Sequence, residues 1–191
     1  MNRDPIRATT GLSDRLRRDL APFEVRPAEP GEVAAARSLA AQLISDGIVT
    51  TEDLDRVHRL TGGAALYVTE EDGALCGVLA FVLLNAAGRE AVRSGSFEAR
   101  APDARHVAGP GEAVCAFYGW GVAATTKVSA RRVVDGARAI MSGAVGPLPK
   151  FARPTTEAGH RLMRERLGFV DLPGSRDGLV WQAPLEQQVA A

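Results

Sequence analysis

An α/β fold with a mixed sheet and flanking helices is predicted by three features of the sequence. Short apolar or alternating runs, typical of strands, are interleaved with segments whose apolar residues recur every three or four positions, as in helices. Residues 112–144 have the pattern of a strand that is followed directly by a long amphipathic helix. Asp72-Gly73 joins two strand-like runs, and this dipeptide is typical of tight hairpin turns. The predicted order is β-α-α-β-β-α-β-α-β-α-β-β.

The first half of the chain contains a hairpin that follows two helices. Residues 1–22 are polar and contain one short helical pattern, so they are interpreted as an N-terminal appendage that packs on the domain or on a partner. The domain is assigned to residues 23–184 and a C-terminal tail to residues 185–191. Thr51 supplies a capping oxygen at the second helix. The predicted elements here are a strand at 23–26, a helix opened by Glu29-Pro30-Gly31 with its apolar stripe at 33–44 and ended by Asp46-Gly47, a helix at 51–60 ended by Gly62-Gly63, strands at 65–69 and 75–84, and a helix at 86–93.

The second half begins with a long segment, 94–111, that is rich in Arg, Ala, Pro and Gly and shows no periodicity. A loop of this length in a compact domain is usually a lid or a binding loop. Thr125 and Thr126 can cap the helix that follows the next strand. The predicted elements are a strand at 112–123, a helix up to 144, a strand at 150–153, a helix at 154–167, and strands at 169–172 and 179–181.

Composition argues against several classes of function. The 191 residues carry a formal net charge of zero, so no global field draws the chain to nucleic acid or to an anionic membrane. The longest apolar run, 74–84, is too short to span a bilayer as a helix. Cys76 and Cys115 lie in apolar runs, as buried reduced thiols do in a cytoplasmic protein. The abundance of Ala, Gly and Arg over Lys suggests a GC-rich genome and a bacterial-type protein.

No motif indicates a metal site or a nucleotide-binding loop. The three histidines, His58, His106 and His160, are scattered and are not accompanied by cysteine pairs. The sequence contains no P-loop, Gly-x-Ser-x-Gly or dinucleotide-binding fingerprint. We therefore expect no metal cofactor.

The strand–turn–helix at 112–144, combined with a later helix that ends in Arg166-Leu167-Gly168-Phe169, resembles the GNAT (Gcn5-related N-acetyltransferase) superfamily. The similarity covers roughly residues 23–183. It implies a mixed, mostly antiparallel central sheet with helices on both faces. It also implies an N-acyltransferase that transfers an acyl group, most often acetyl, from acetyl-CoA or another acyl-CoA to the amine of a small molecule or a peptide.

The resemblance implies where the cofactor would bind. The family grips the diphosphate of CoA with a Gln/Arg-x-x-Gly-x-Gly/Ala turn, in which glycine allows close approach to the backbone. Thr125 falls at the first position of that motif, Val128 at the first glycine and Ala130 at the last position. The cofactor-binding candidates implied by the resemblance are Trp120, Gly121 and Val122 for the pantetheine arm, and Lys127, Val128, Ser129, Ala130 and Arg131 for the phosphates.

The catalytic candidates are Tyr118, Glu112 and His160. Many GNAT members use a tyrosine on the last helix as general acid, but the corresponding residue here is Arg164, which stays protonated at neutral pH and cannot serve as the acid. Each candidate also has a structural interpretation: a core tyrosine, a solvated acid and a histidine on a helix surface.

These departures keep a second function open, namely a GNAT-like domain without catalysis that senses a ligand or binds a protein. For an enzyme, the acceptor is expected between the 46–51 turn and the 172–178 loop, with 94–111 as a lid. Nucleic acid and membrane partners are not expected, and a homodimer remains open.

Overall fold

The computed structural model describes residues 6–7, 10–44, 48–175 and 178–185. Its helices are α1 (Thr10–Leu20), α2 (Val33–Leu43), α3 (Thr51–Leu60), α4 (Ala86–Ser94), α5 (Lys127–Ser142) and α6 (Glu157–Arg161). Its strands are β1 (Ile6–Arg7), β2 (Arg26–Pro27), β3 (Leu66–Glu71), β4 (Ala74–Leu84), β5 (Ala113–Val114), β6 (Ala116–Ala124), β7 (Lys150–Ala152), β8 (Val170–Asp171) and β9 (Val180–Gln182).

The main sheet has seven strands in the order β2-β3-β4-β6-β7-β9-β8. Only β6 and β7 run parallel, and every other neighbouring pair in this sheet is antiparallel. Strands β1 and β5 form a separate two-stranded sheet. The β3–β4 turn uses left-handed backbone at Asp72 (φ 51°) and Gly73 (φ 76°), as the Asp-Gly pair predicts. The predicted fold class, a mixed and mostly antiparallel sheet, is confirmed.

Helices cover both faces of the sheet. On one face, α1 and α5 pack on a cluster that includes Tyr67, Phe81 and Phe117. On the other face, α2 and the start of α3 pack on Leu66, Val68, Val78 and Ala80, while α4 packs beside them on a cluster that includes Val82 and Leu84. These side chains alternate along β3 and β4 because successive residues of a strand point to opposite faces. Both faces are therefore buried, which explains why β4 is almost wholly apolar.

Helix α1 is part of the main core. Its Leu12, Leu16 and Leu20 are at most 1% exposed and belong to the cluster beneath α5. Asp19 accepts a hydrogen bond from the backbone N–H of Ala144 at 2.9 Å, which ties α1 to the end of α5. The helical part of the predicted appendage thus packs on the core of the domain.

Local predictions differ from the structure at several element ends. The first strand was predicted at 23–26 but lies at Arg26–Pro27, because a 3-10 turn extends α1 to Phe23 and Glu24 adopts a left-handed conformation (φ 56°). Thr50, not Thr51, caps α3 by accepting from the N–H of Asp53. The predicted strand 112–123 is divided into β5 and β6. The predicted helix 154–167 consists of α6 and a π-helical turn, and Asp46-Gly47 lies outside the described residues.

Lys150, at the start of β7, is fully buried. Its ammonium donates to the carbonyl oxygens of Gly146 and Leu148, both at 3.1 Å, and these lie in the turn after α5. Burial lowers the pKa of Lys150 to about 8, because a charged amine is poorly solvated in the core. This lysine therefore links the pH to the stability of the fold.

We expect Leu16→Ala to lower the free energy of unfolding by about 2–5 kcal/mol, since it leaves a cavity between α1 and α5. The matched control is Arg15→Ala, an exposed change on the same helix that should stay within about 0.5 kcal/mol of the parent. Urea unfolding followed by circular dichroism measures both. Equal stability of the two variants would show that α1 is not integral to the core.

In the parent protein, the free energy of unfolding should rise with pH because of Lys150, and we expect the Lys150→Met variant to lack this rise. A lysine whose pKa is lowered by folding binds fewer protons in the folded state, so the free energy of unfolding rises between the folded value, about 8, and the ordinary value of 10.5. The difference in unfolding free energy between parent and variant should grow by about 2 kcal/mol from pH 8 to pH 10. Lys127→Met, which replaces an exposed lysine, is the control, and parallel curves for the parent and Lys150→Met would contradict the argument.

Candidate active site

Strand β6 has an open edge over its second half. It pairs with β7 only from Phe117 to Gly119, where Gly119 lies opposite Ala152, and within the described residues no strand continues the pairing beyond that point. Pairing with β4 continues to Ala124. Since N–H and C=O groups alternate in direction along an antiparallel strand, those of Val122 and Ala124 point away from β4. These backbone groups are available to an extended ligand.

A β-bulge lies where the open edge begins. Ala80 of β4 is opposite Gly121 and Phe81 is opposite Gly119, so that Trp120 has no counterpart. A bulge turns the strand locally and leaves the extra residue outside the ladder. The Trp120 indole N–H donates to the carbonyl oxygen of Ala99 at 2.6 Å. This hydrogen bond attaches the 94–111 segment to the bulge.

A groove with a volume of about 390 Å³ runs along the open edge. The backbone from Gly119 to Ala124 forms its floor. One wall comes from α2 and the residues after it, the other from the segment between β7 and α6 and from the first residues of that helix. The wall residues are Ala36, Arg37, Ala40, Leu43, Ile44, Ile48 and Val49 on one side and Arg153, Pro154, Thr155, Thr156, Ala158 and Gly159 on the other. The groove is mostly apolar, as expected for a site that excludes water from its ligand.

Polar and charged groups gather at the end of the groove near the bulge. Tyr118 is 3% exposed and packs against Phe97 with ring centroids 5.0 Å apart. Burial raises the pKa of Tyr118 to about 12, while the positive charge of Arg153 opposes this rise and the negative charge of Glu98 adds to it. Tyr118, Glu98 and Arg153 all line the groove. Tyr118 is therefore a protonated group that can donate a hydrogen bond into the groove.

The other end of the groove stops just short of the N-terminus of α5. Thr126 caps this helix: its hydroxyl accepts from the N–H of Ser129 at 3.0 Å, and the Ser129 hydroxyl accepts from the N–H of Thr126 at 3.2 Å. The N–H of Thr125 donates to the carbonyl oxygen of Cys76 at 2.9 Å. The N–H of Ala130 donates to the carbonyl oxygen of Thr126 at 3.0 Å. Four N–H groups at this turn are thus already used by the protein itself.

A carboxylate also lies at this helix end. The Thr126 hydroxyl donates a hydrogen bond to the Glu71 carboxylate at 2.9 Å. The Val128 side chain is 54% exposed, where a glycine would leave the backbone open. Arg131 forms an ion pair with Asp135 at 3.4 Å. The positive end of the helix dipole is therefore partly neutralised by the acid, and phosphates would meet a negative charge here.

These observations test the fit of acyl-CoA. The open edge at Val122 and Ala124 fits the amide-rich pantetheine arm, which pairs like a strand. The α5 N-terminus does not fit a diphosphate well, because only the N–H groups of Lys127 and Val128 lack an acceptor among the described residues.

The predicted site residues fall into two groups. Tyr118, Trp120, Gly121 and Val122 line the groove. The other candidates do not line it. Lys127, Val128 and Arg131 are exposed at the start of α5, Ser129 is buried and Ala130 is half-buried. Glu112 is exposed before β5 and accepts from the N–H of Gly109 at 3.0 Å, and His160 is half-buried on α6.

Two acidic residues near the ends of the groove, Glu98 and Glu71, are not among the candidates predicted from the sequence. Glu98 lies in the aperiodic 94–111 segment, and nothing in its sequence neighbourhood indicates a contact with the groove. Glu71 ends β3 in a hairpin distant in sequence from α5. Arg164, at the position of the family's tyrosine, is exposed and bonds Asp171 at 2.6 Å. Tertiary contacts between segments distant in sequence bring Glu98 and Glu71 to their positions.

Three further findings concern membrane spans, metal sites and cysteines among the described residues. None of their helices is long and apolar enough to cross a membrane. No group of three or more His, Cys, Asp or Glu side chains among them is arranged to hold a metal ion. Cys76 and Cys115 are buried, unpaired thiols.

No protein-family model and no curated protein matches the chain. One similar solved structure is Rv2747 from Mycobacterium tuberculosis in complex with CoA and NLQ, with 17% identity, 80% of this chain and 74% of that chain covered, and a TM-score of 0.46. A second is an N-acetyltransferase from Staphylococcus aureus Mu50, with 12% identity, 83% of this chain and 99% of that chain covered, and a TM-score of 0.48. A third is a GNAT family acetyltransferase from Brucella melitensis in complex with acetyl-CoA, with 16% identity, 83% of this chain and 86% of that chain covered, and a TM-score of 0.43. At these identities and scores they carry no argument about the reaction. The chain has a GNAT-like fold, as the order of its strands, the separation of β6 from β7 and the helix after β6 indicate.

We expect Trp120→Phe to loosen the 94–111 segment, because it removes the indole hydrogen bond to Ala99 and keeps an aromatic ring. The loss of one such bond, about 0.5–1.5 kcal/mol, should speed tryptic cleavage after the exposed Arg100 by roughly 2- to 12-fold. Trp181→Phe is the control, since this half-buried tryptophan lies on β9. Cleavage at the parent rate in Trp120→Phe would mean that the hydrogen bond does not hold the segment.

Proposed function

We propose that this protein is an N-acyltransferase that binds the pantetheine arm of an acyl thioester along the open edge of β6. The observation that carries the proposal is the unpaired edge from Trp120 to Ala124, which faces a mostly apolar groove. Amides of an extended arm can pair with the backbone of Val122 and Ala124, as an added strand would. The acceptor is the amine of a small molecule or a peptide.

The β-bulge at Trp120 would position the carbonyl group of the thioester for attack by the amine. The amine nitrogen attacks the carbonyl carbon, a C–N bond forms, the C–S bond breaks and the thiolate leaves. Negative charge develops on the carbonyl oxygen during the attack, and a backbone N–H near Trp120 is suited to stabilise it because the bulge removes this residue from the ladder. Such a contribution does not depend on the identity of the side chain.

Two side chains at the same end of the groove are suited to move the protons. Tyr118, with a pKa of about 12, remains protonated at neutral pH and can pass its proton to the leaving thiolate. Glu98 is exposed at the mouth of the groove and can accept a proton from the attacking amine. The negative charge of Glu98 acts on the Tyr118 hydroxyl and contributes to its raised pKa. Glu112 and His160 have no part in this mechanism because neither lines the groove.

A second candidate function is a ligand-sensing or protein-binding domain without catalysis. It is favoured by the closed N-terminus of α5 and by Arg164 at the position of the usual acid. In that case the groove binds a ligand, and no amine is acylated.

The first experiment separates these functions. A thermal melt with acetyl-CoA, longer acyl-CoAs and S-acetylpantetheine at millimolar concentration tests binding, because ligand at about 100 times its Kd stabilises a protein by about 2.7 kcal/mol. Thiol release with a panel of small amines and peptides tests transfer. A melting shift without thiol release supports the sensing domain, and no shift with any thioester rejects the proposed transferase.

We expect Tyr118→Phe to lower kcat by about 100-fold and to change KM little, as the loss of a general acid does. Tyr67→Phe is the matched control, because Tyr67 is fully buried beneath α5 and does not line the groove. Stopped assays of thiol release measure both. Equal rates for the two variants would exclude Tyr118 as the proton donor.

A further inference from the structure

We infer that the thioester donor is recognised by its pantetheine arm alone, and that the protein does not grip the diphosphate and nucleotide of CoA. The inference rests on the proposed function and concerns the donor of that same site. The two ends of the groove differ. At one end, backbone groups of β6 are open to a ligand, whereas at the α5 end most backbone N–H groups are hydrogen-bonded within the protein.

The open end presents what a pantetheine thioester needs. The arm is a chain with two amide groups and apolar methylenes between them. The outward N–H and C=O groups of Val122 and Ala124 can pair with those amides. The apolar walls from Ala36 to Ile44 and from Pro154 to Gly159 can cover its methylenes. Recognition of this part requires no charged side chain.

The α5 end of the groove offers a diphosphate little, because among the described residues only the N–H groups of Lys127 and Val128 lack an acceptor there. Phosphates bind at a helix N-terminus through free N–H groups and the positive end of the helix dipole. The hydroxyls of Thr126 and Ser129 cap each other's N–H groups, and Glu71 adds a carboxylate within 2.9 Å of the Thr126 hydroxyl. The groove itself ends at Ala124, before this turn.

Cations near α5 do not compensate for this arrangement. Arg131 bonds Asp135, and Arg132 bonds Glu24 and donates to the carbonyl oxygen of Glu70 at 3.2 Å. Lys127 is exposed at the first position of the helix. A donor that carries two phosphates therefore gains little here over a donor that carries none.

A pantetheine thioester reaches proteins from two sources. It is the end of a free small molecule or the prosthetic arm of an acyl carrier protein, and both present the same amides and the same thioester. The reaction is the one proposed above in either case, and the released product is the free thiol of the same arm.

The test compares donors that differ only beyond the arm. Initial rates of thiol release are measured with acetyl-CoA, S-acetylpantetheine and an acetyl-loaded acyl carrier protein. We expect kcat/KM for acetyl-CoA and S-acetylpantetheine to agree within about threefold, since one charge-assisted hydrogen bond to a gripped phosphate would by itself contribute roughly 10-fold or more. A carrier protein that reacts better than S-acetylpantetheine identifies it as the source, whereas a poorer rate identifies the free thioester.

A variant tests the cause. Glu71→Gln removes the carboxylate and keeps the shape of the side chain, so we expect it to raise the ratio of kcat/KM for acetyl-CoA over S-acetylpantetheine by about threefold. Asp72→Asn is the matched control in the same turn, because asparagine tolerates the left-handed backbone at this position (φ 51°). We expect this control to leave the ratio unchanged.

The outcomes separate the inference from the proposed function. A preference of 30-fold or more for acetyl-CoA, reduced by Lys127→Ala, would overturn the inference and leave the proposed transferase standing. No thiol release and no melting shift with any of the three donors would overturn both. An unchanged ratio in Glu71→Gln would refute the carboxylate as the cause of weak phosphate binding.

Discussion

Among the described residues, strand β6 has two neighbours up to Gly119 and one beyond it, and the rest of the site depends on this loss of pairing. The last pair, Gly119 with Ala152, fixes where β7 turns away, and the bulge at Trp120 twists β6 at the same point. An unpaired strand edge inside a protein is costly unless something satisfies its N–H and C=O groups. In this fold that requirement creates a site for an extended ligand at Val122 and Ala124.

The packing on the two faces holds this opening in place. Beneath the strand, Phe81 lies between Tyr67 and Phe117 with ring centroids 5.5 and 4.8 Å away, so that β3, β4 and β6 share one aromatic layer. α5 and α1 close that face, and α2 borders the groove on the other. The opening therefore does not depend on the polar residues that line it.

Sequence reasoning reached the strand–helix order because hydrophobic periodicity and turn chemistry are local signals. Asp72-Gly73 and the cap at Thr126 are examples in which a few neighbouring residues determine the backbone. The resemblance also indicated Trp120, Gly121 and Val122 as residues of a strand edge. By contrast, Glu98 and Glu71 reach the two ends of the groove through tertiary contacts, and their neighbours in sequence contain no trace of that position. A periodicity argument cannot find such residues, since the information lies in the register between distant segments.

The two ends of the groove impose different requirements on a ligand. At the bulge end, Tyr118 is buried, protonated and close to the opposite charges of Glu98 and Arg153, so a polar group that needs a hydrogen-bond donor is favoured there. At the α5 end, Glu71 partly neutralises the helix dipole, and the capping box leaves only the N–H groups of Lys127 and Val128 free among the described residues, so an added anion is weakly favoured there. Three conditions follow for a ligand. It is polar at the bulge end, it is extended and rich in amides in the middle, and it needs no phosphate at the α5 end. A pantetheine thioester has this pattern, so the proposed function defines its donor more closely than its acceptor.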